Sequence, residues 1–129
     1  MTLAELIGRP VPFADHLGIR VGSVDADRAV LALPLRPELL NSHGGVHGGV
    51  VTALADVALA VAAIAREPGA RGAYTVDLSV SFLGPGAGTL TAEGRCLRVG
   101  RSLAFSEGEV RDGRGELVAK AIGTFKLLR

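Results

Sequence analysis

The chain has 129 residues, of which 48% are hydrophobic and 21% are charged, and its net charge is +1. These values exclude a disordered chain and predict one globular domain, residues 1–129. A nearly neutral chain has no broad basic field, so we expect no nucleic-acid partner. One cysteine, Cys96, excludes an internal disulfide framework, and the first residues show no secretion signal. Both features predict a cytoplasmic location.

The first predicted elements are short. Residues 4–17 predict a short helix that Pro10 and Pro12 interrupt. Residues 19–24 and 28–35 predict two strands joined by a turn, and residues 36–46 predict a loop.

Residues 48–65 predict the one long helix, because they are almost entirely apolar and end before Pro68-Gly69. The segment is apolar on nearly all sides, so we expect it to be covered on most sides. Its length lies at the short limit of about 18 to 20 residues for crossing a bilayer, and it carries a central charge. A buried core helix with no membrane contact is therefore the better interpretation.

The second half of the chain is predicted to be β-structure. Residues 73–83 alternate, and strands over residues 89–99, 102–111 and 116–127 follow. Because the connections are short, we expect consecutive strands to be antiparallel neighbours. The fold class is α+β, with an antiparallel sheet against a single long helix. The alternation places Val76, Leu78, Val80 and Phe82 on one face, and Thr75, Asp77, Ser79 and Ser81 on the other.

Asp56 is the only charged residue in the long helix. A charge among apolar side chains costs several kcal/mol unless it is paired, neutralised or used. The glycine pair Gly48-Gly49 at the helix start offers backbone N–H groups to an anion. Together these features predict a site that binds an oxyanion and activates a nucleophile.

The segment Asn41-x5-His47-Gly48-Gly49-x6-Asp56 resembles the signature of hotdog-fold acyl-CoA thioesterases of the phenylacetate-pathway (PaaI-like) branch. The resemblance continues through residues 75–85, 98–102 and 119–125 and covers about residues 12–127. It implies a hotdog fold, in which a curved antiparallel sheet wraps around one long central helix. It also implies hydrolysis of an acyl-CoA thioester to a free acid and CoA.

The resemblance also implies roles for five residues. Asp56 would act at the thioester carbonyl, either as a general base for water or as the nucleophile. The Gly48 N–H and the Asn41 side chain would polarise that carbonyl. His47 would lie near the thioester sulfur, and Thr75 would orient the water. A structural carboxylate at Asp56, an N-cap role for His47 and an ordinary strand threonine at Thr75 are the alternatives.

CoA would be part of the substrate, and no separate cofactor is expected. Arg98 and Arg101 flank Gly100, an arrangement that suits phosphate contact, and ordinary hairpin charges are the alternative. Phe82, Leu83 and Pro85 could line a narrow apolar passage for the pantetheine arm. His43 and His47 have the i, i+4 spacing of a pair of metal ligands. The glycines between them favour a loop and no third ligand is placed, so we expect no metal. The CoA-binding positions that the resemblance implies are Phe82, Leu83, Gly84, Pro85, Arg98, Gly100, Arg101 and Ser102.

The helix geometry adds a constraint on assembly. Gly48 and Asp56 are eight residues apart, or roughly 12 Å at about 1.5 Å per residue. A nucleophile and an oxyanion donor must both lie about 3 Å from the reacting centre. One helix cannot supply both, so the spacing predicts a two-fold homodimer with composite sites. We expect these dimers to associate further into a homotetramer.

The alternatives to hydrolysis are a dehydratase and a non-catalytic acyl-CoA-binding module. A hotdog dehydratase generally uses a His base with a differently placed acid, and the spacing from His47 to Asp56 argues against it. Retention of both Asp56 and Asn41 argues against a non-catalytic acyl-CoA-binding module. Aryl, hydroxyphenylacetyl and medium-chain acyl groups stay open, as does an acyl-carrier-protein substrate.

Overall fold

Three helices and six strands account for most of the chain in the computed structural model, which describes all 129 residues. Each predicted strand, the long helix and the outer limits of the first helical segment agree with the structure to within one residue. The loop before the long helix contains one 3₁₀ turn, Pro37–Leu39. The elements are α1 Leu3–Ile7, α2 Pro12–Leu17, β1 Arg20–Val24, β2 Arg28–Pro34, α3 Gly48–Arg66, β3 Gly72–Phe82, β4 Thr89–Val99, β5 Leu103–Arg111 and β6 Leu117–Leu128.

The strands form one curved antiparallel sheet in the order β1-β2-β4-β5-β6-β3. The prediction that consecutive strands are neighbours is wrong for β3 and β4, because β3 lies at the sheet edge and pairs with β6. Residues 83–88 connect them across the end of the β5–β6 hairpin. Six extended residues reach roughly 20 Å, whereas three strand spacings are only about 14 Å. A short connection therefore does not require neighbouring strands.

Helix α3 packs on the inner face of the sheet and buries one side only. Its nine buried residues face a core that includes Leu31, Leu33, Leu90 and Phe125, none of them exposed. The opposite side, with Thr52, Ala53, Asp56, Val57 and Ala60, is only half-buried. The expectation of cover on most sides is thus not met within a single chain. By length and composition α3 could cross a membrane, but here it is the core helix of the sheet.

Helix α3 approaches the sheet most closely above Gly94 of β4. A Cβ atom on this glycine would lie 2.7 Å from the carbonyl oxygen of Ala58 and 2.9 Å from its carbonyl carbon. A Cβ on Gly108 of β5 would likewise lie 2.8 Å from a side-chain carbon of Leu59. The missing side chains let the helix backbone rest directly on the strands.

We expect Gly94→Ala to destabilise the fold, because the added methyl meets helix backbone that cannot move without separating helix and sheet. The expected loss is about 1–3 kcal/mol, or a Tm lower by roughly 3–12 °C. Gly69→Ala is the matched control, since its Cβ would have no neighbour closer than 4.0 Å. Thermal unfolding of both variants checks this, and equal shifts would contradict the close approach at Gly94.

Candidate active site

Asn41 shapes the loop that leads into α3. Its Oδ1 accepts hydrogen bonds from the backbone N–H groups of His43, at 2.8 Å, and of Gly45, at 3.1 Å. Its Nδ2 donates to the carbonyl oxygen of Val46 at 3.4 Å, which leaves its second N–H free. Asn41 is exposed, so this N–H can still reach a ligand at the helix start. The side chain therefore combines a loop-building role with an available donor.

His47 is the N-cap of α3. Its Nδ1 accepts the N–H of Gly49 at 2.9 Å, as a capping side chain does. In the neutral ring the proton is then on Nε2, which faces no partner in the chain. The N–H of Gly48 donates no hydrogen bond within the chain. The start of the helix thus presents one unused backbone donor, at the position expected from the sequence.

The loop after β3 lies against this helix start. A Cβ on Gly48 would lie 3.4 Å from the ring of Phe82, and one on Gly45 would lie 2.9 Å from the carbonyl oxygen of Pro85. Phe82 and Leu83 are both more than half exposed. The structure therefore places the predicted pantetheine-binding residues beside the predicted oxyanion donor, with apolar surface open to solvent.

Asp56 lies two turns further along α3 and is held by Thr75. The Thr75 hydroxyl donates a hydrogen bond to Asp56 Oδ1 at 2.6 Å. The carboxylate is half-buried in the single chain, and its second oxygen makes no hydrogen bond within it. The structure thus joins two of the predicted site residues in one chain.

A β-bulge explains how Thr75 reaches the helix side of the sheet. Thr75 pairs with Phe125 and Asp77 with Thr124, so Val76 is an extra residue in β3. The bulge shifts the alternation by one position and puts Thr75 on the same side as Leu78. The predicted face assignment is therefore wrong at this point of the strand. Val76, predicted to be on the apolar face, is 59% exposed.

A cavity of about 270 Å³ lies beside Asp56 and Thr75. The segment between α1 and α2 and the start of β3 line it, and it is partly open to solvent. A cavity of about 150 Å³ is large enough to hold benzene, so this one accommodates a ring with a linker or a medium-length chain. The lining is mostly apolar and includes Ile7, Val11, Val57, Ala60, Ile64 and Tyr74.

The second predicted CoA-binding stretch, Arg98, Gly100, Arg101 and Ser102, lies at the opposite end of the molecule. Phe82, at the end of β3, pairs with Ala119 of β6. Leu103, at the start of β5, pairs with Lys126 of the same strand β6. Seven residues of strand separate these positions by roughly 23 Å. One chain therefore does not bring the two CoA-binding stretches together.

Asp112, in the turn between β5 and β6, also contacts the loop after β3. Its side chain is almost completely buried, and it accepts the N–H of Ala87, in the loop after β3, at 3.2 Å. Burial opposes ionisation of this carboxyl, but hydrogen bonds from Arg114 and from the Glu116 N–H outweigh it and lower the pKa of Asp112. The Asp-Gly-Arg-Gly sequence signals a turn, but no local pattern identifies Ala87 as a partner.

Comparisons with known proteins show the family and the fold of the chain. The family model described as "Thioesterase superfamily" matches residues 43–119. A candidate esterase of Saccharolobus solfataricus is 34% identical over 128 residues, covering 98% of this chain and 91% of the relative. The PaaI protein of the E. coli phenylacetic acid degradation operon superposes with a TM-score of 0.88 at 30% identity, covering 98% of this chain and 91% of that one. The PaaI protein of Thermus thermophilus gives 0.81 at 34% identity, covering 92% and 100%.

We expect His47→Ala to lower stability by about 0.5–2 kcal/mol, because the N–H of Gly49 loses its capping acceptor. His47→Asn is the matched control, since an asparagine side chain also caps well, and its stability should stay close to that of the wild type. Urea unfolding of the three proteins measures the difference. A His47→Ala variant as stable as the wild type would mean that the cap contributes nothing.

Proposed function

The chain belongs to the thioesterase superfamily, and from that premise we propose that it hydrolyses acyl-CoA thioesters to a free acid and CoA. The observation that carries the proposal is the pairing of Asp56 with Thr75 on the exposed side of α3, the helix that begins with the unused N–H of Gly48. A carboxylate with one oxygen oriented and one oxygen free suits attack on a thioester. A cytoplasmic location fits both a CoA substrate and the reduced Cys96.

In the proposed reaction Asp56 acts as general base or as nucleophile. As base, its free oxygen takes a proton from water while the water oxygen bonds to the thioester carbon. The carbonyl oxygen becomes an oxyanion, and the N–H of Gly48 and the amide of Asn41 stabilise it. Removing one such donor typically costs about 10²- to 10³-fold in kcat. The carbon–sulfur bond then breaks and CoA leaves as the thiolate, with the Nε2 proton of His47 at the sulfur end.

We further propose that the site is shared between two chains. Strand β3 has an unpaired outer edge with Tyr74 and Val76 largely exposed, next to the half-buried side of α3. An apolar open edge of this kind is a template for pairing with a second chain. If two α3 helices lie antiparallel across a two-fold axis, Asp56 of the partner subunit comes to the Gly48 N–H.

The same symmetry unites the two CoA-binding stretches. Arg66, at the end of α3, donates a hydrogen bond to the carbonyl oxygen of Cys96 at 2.9 Å, so the hairpin after Cys96 lies at the helix end. Antiparallel helices place that end of one chain beside the start of α3 in the other. Arginines of one subunit would then contact the phosphates of a CoA whose pantetheine arm follows Phe82 of the other. The homotetramer stays a prediction.

The cavity beside Asp56 and Thr75 supports an apolar acyl group of aryl or medium-chain size. Its wall of Val57, Ala60 and Ile64 offers no hydrogen-bonding side chain. No observation favours the dehydratase, because Asp56 contacts a threonine and no histidine is bonded to it. Release of free thiol rather than an enoyl product distinguishes the two activities.

We expect Asp56→Asn to lower thiol release by about 10²- to 10⁴-fold across a panel from acetyl-CoA to decanoyl-CoA and phenylacetyl-CoA, because an amide cannot act as base or nucleophile. The amide oxygen still accepts the Thr75 hydroxyl, so fold and assembly should be unchanged by size-exclusion chromatography. Asp77→Asn, which changes an exposed carboxylate on the strand that carries Thr75, is the control and should keep full activity. Unchanged turnover in Asp56→Asn would refute the mechanism.

Mixing two inactive variants tests the shared site. Asn41→Asp keeps the acceptor for the N–H groups of His43 and Gly45 but removes the amide donor. When it is mixed with Asp56→Asn and the subunits exchange freely, half of the dimers are mixed, and each mixed dimer has one intact site. The expected recovery is about a quarter of wild-type activity. Absence of recovery in mass-verified mixed dimers would show that each site belongs to one chain.

A further inference from the structure

We propose that Asp112 is a positioning residue for CoA binding. Through Ala87 it fixes the loop of residues 83–88, which follows Phe82, and so holds Pro85 where it can receive the pantetheine arm. The inference rests on the proposed function, since it assigns this loop to CoA. It adds a residue 25 positions away from Ala87 that touches neither substrate nor reacting atoms.

Each carboxylate oxygen of Asp112 accepts more than one hydrogen bond. Oδ1 accepts the backbone N–H groups of Arg114, at 2.9 Å, and Glu116, at 3.1 Å. Oδ2 accepts the Arg114 guanidinium, at 3.0 Å and 3.3 Å, and the N–H of Ala87, at 3.2 Å. The first four bonds stay within the β5–β6 turn. Only the bond to Ala87 leaves the turn, and through this bond the Asp112 side chain is tied to the loop after β3.

Ala87 is held by two hydrogen bonds to the β5–β6 turn. The turn residue Gly113 donates its N–H to the carbonyl oxygen of Ala87 at 2.9 Å, opposite the bond to Asp112. Gly86 and Gly88 both have φ of 74°, a left-handed conformation that side chains disfavour. The two bonds, which we call the clamp, therefore attach the loop to the turn at the residue between these two glycines.

The strand order determines where the clamp acts. Leu83 and Gly84, at the start of the loop, donate their N–H groups to the carbonyl oxygen of Val118 at 2.7 and 3.2 Å, and Asp112 holds the loop further on, at the hairpin end that it crosses. Beyond the clamp, the carbonyl oxygen of Pro85 accepts the N–H of Val46 at 2.8 Å. The helix start has separate supports in Asn41 and in the His47 cap. Loss of the clamp should thus disturb the CoA side of the site more than the oxyanion donor.

The test is Asp112→Asn. An asparagine can accept hydrogen bonds at one position only, so its NH₂ group would face the N–H of Ala87 and the Arg114 guanidinium. We expect the Kd for CoA, measured by calorimetry, and the KM for acyl-CoA to rise by about tenfold, with a smaller change in kcat. The kcat/KM for the matching N-acetylcysteamine thioester, which lacks the nucleotide and most of the arm, should stay within twofold.

Arg114→Gln is the matched control. It removes the exposed guanidinium but leaves Ala87 bonded to Asp112, so the Kd for CoA should stay within twofold of the wild type. The positioning role is refuted if Asp112→Asn folds and binds CoA with the Kd of the wild type. It is also refuted if the kcat/KM of this variant falls by the same factor for the truncated thioester as for the acyl-CoA. If that variant does not fold, amide exchange in the wild type decides. A protected Ala87 N–H supports the clamp, and exchange at the rate of an unstructured loop overturns it.

Failure of this inference differs from failure of the proposed function. A wild type that binds CoA but hydrolyses no thioester would refute the function and leave the clamp supported by the Kd of Asp112→Asn. A wild type that does not bind CoA would overturn both.

Discussion

The rest of the structure depends on α3 being one rigid helix pressed onto the sheet. Its backbone rests on Gly94, and nine of its 19 residues are buried on the sheet side. The helix runs unbroken from Gly48 to Arg66, so the backbone positions of Gly48 and Asp56 are about 12 Å apart along its axis. Both lie on the side that the sheet leaves uncovered. Any chemistry that needs the two groups together therefore needs a second helix on that side.

The strand order leaves β3 at the edge of the sheet, where a second chain can approach the uncovered side of α3. With β3 at the edge, Thr75 comes beside Asp56 and the edge stays open for another chain. The loop that leaves β3 must then cross the hairpin end to reach β4. That crossing brings Pro85 to the loop before α3 and Ala87 within hydrogen-bond distance of Asp112.

The sequence predicts the elements well and their arrangement less well. Alternation and Gly/Pro breaks located every strand to within one residue, and the lone charge at Asp56 indicated a candidate site. The bulge at Val76 leaves no signal, because an apolar residue there keeps the alternation intact while its side chain is exposed at the edge. The connection of residues 83–88 is long enough for either strand order. The partner of Asp112 is distant in sequence, so local turn chemistry identifies the turn and not the contact.

In the proposed dimer, association and activity depend on the same surface. Pairing along β3 would cover an exposed apolar edge, which otherwise invites uncontrolled pairing. The same contact would cover the uncovered side of α3, remove water from around Asp56 and bring in the oxyanion donor of the partner subunit. Electrostatic stabilisation by fixed donors is strongest when water is excluded. An isolated chain would then have an oriented carboxylate but no oxyanion donor within reach of it, so subunit association itself would complete the site.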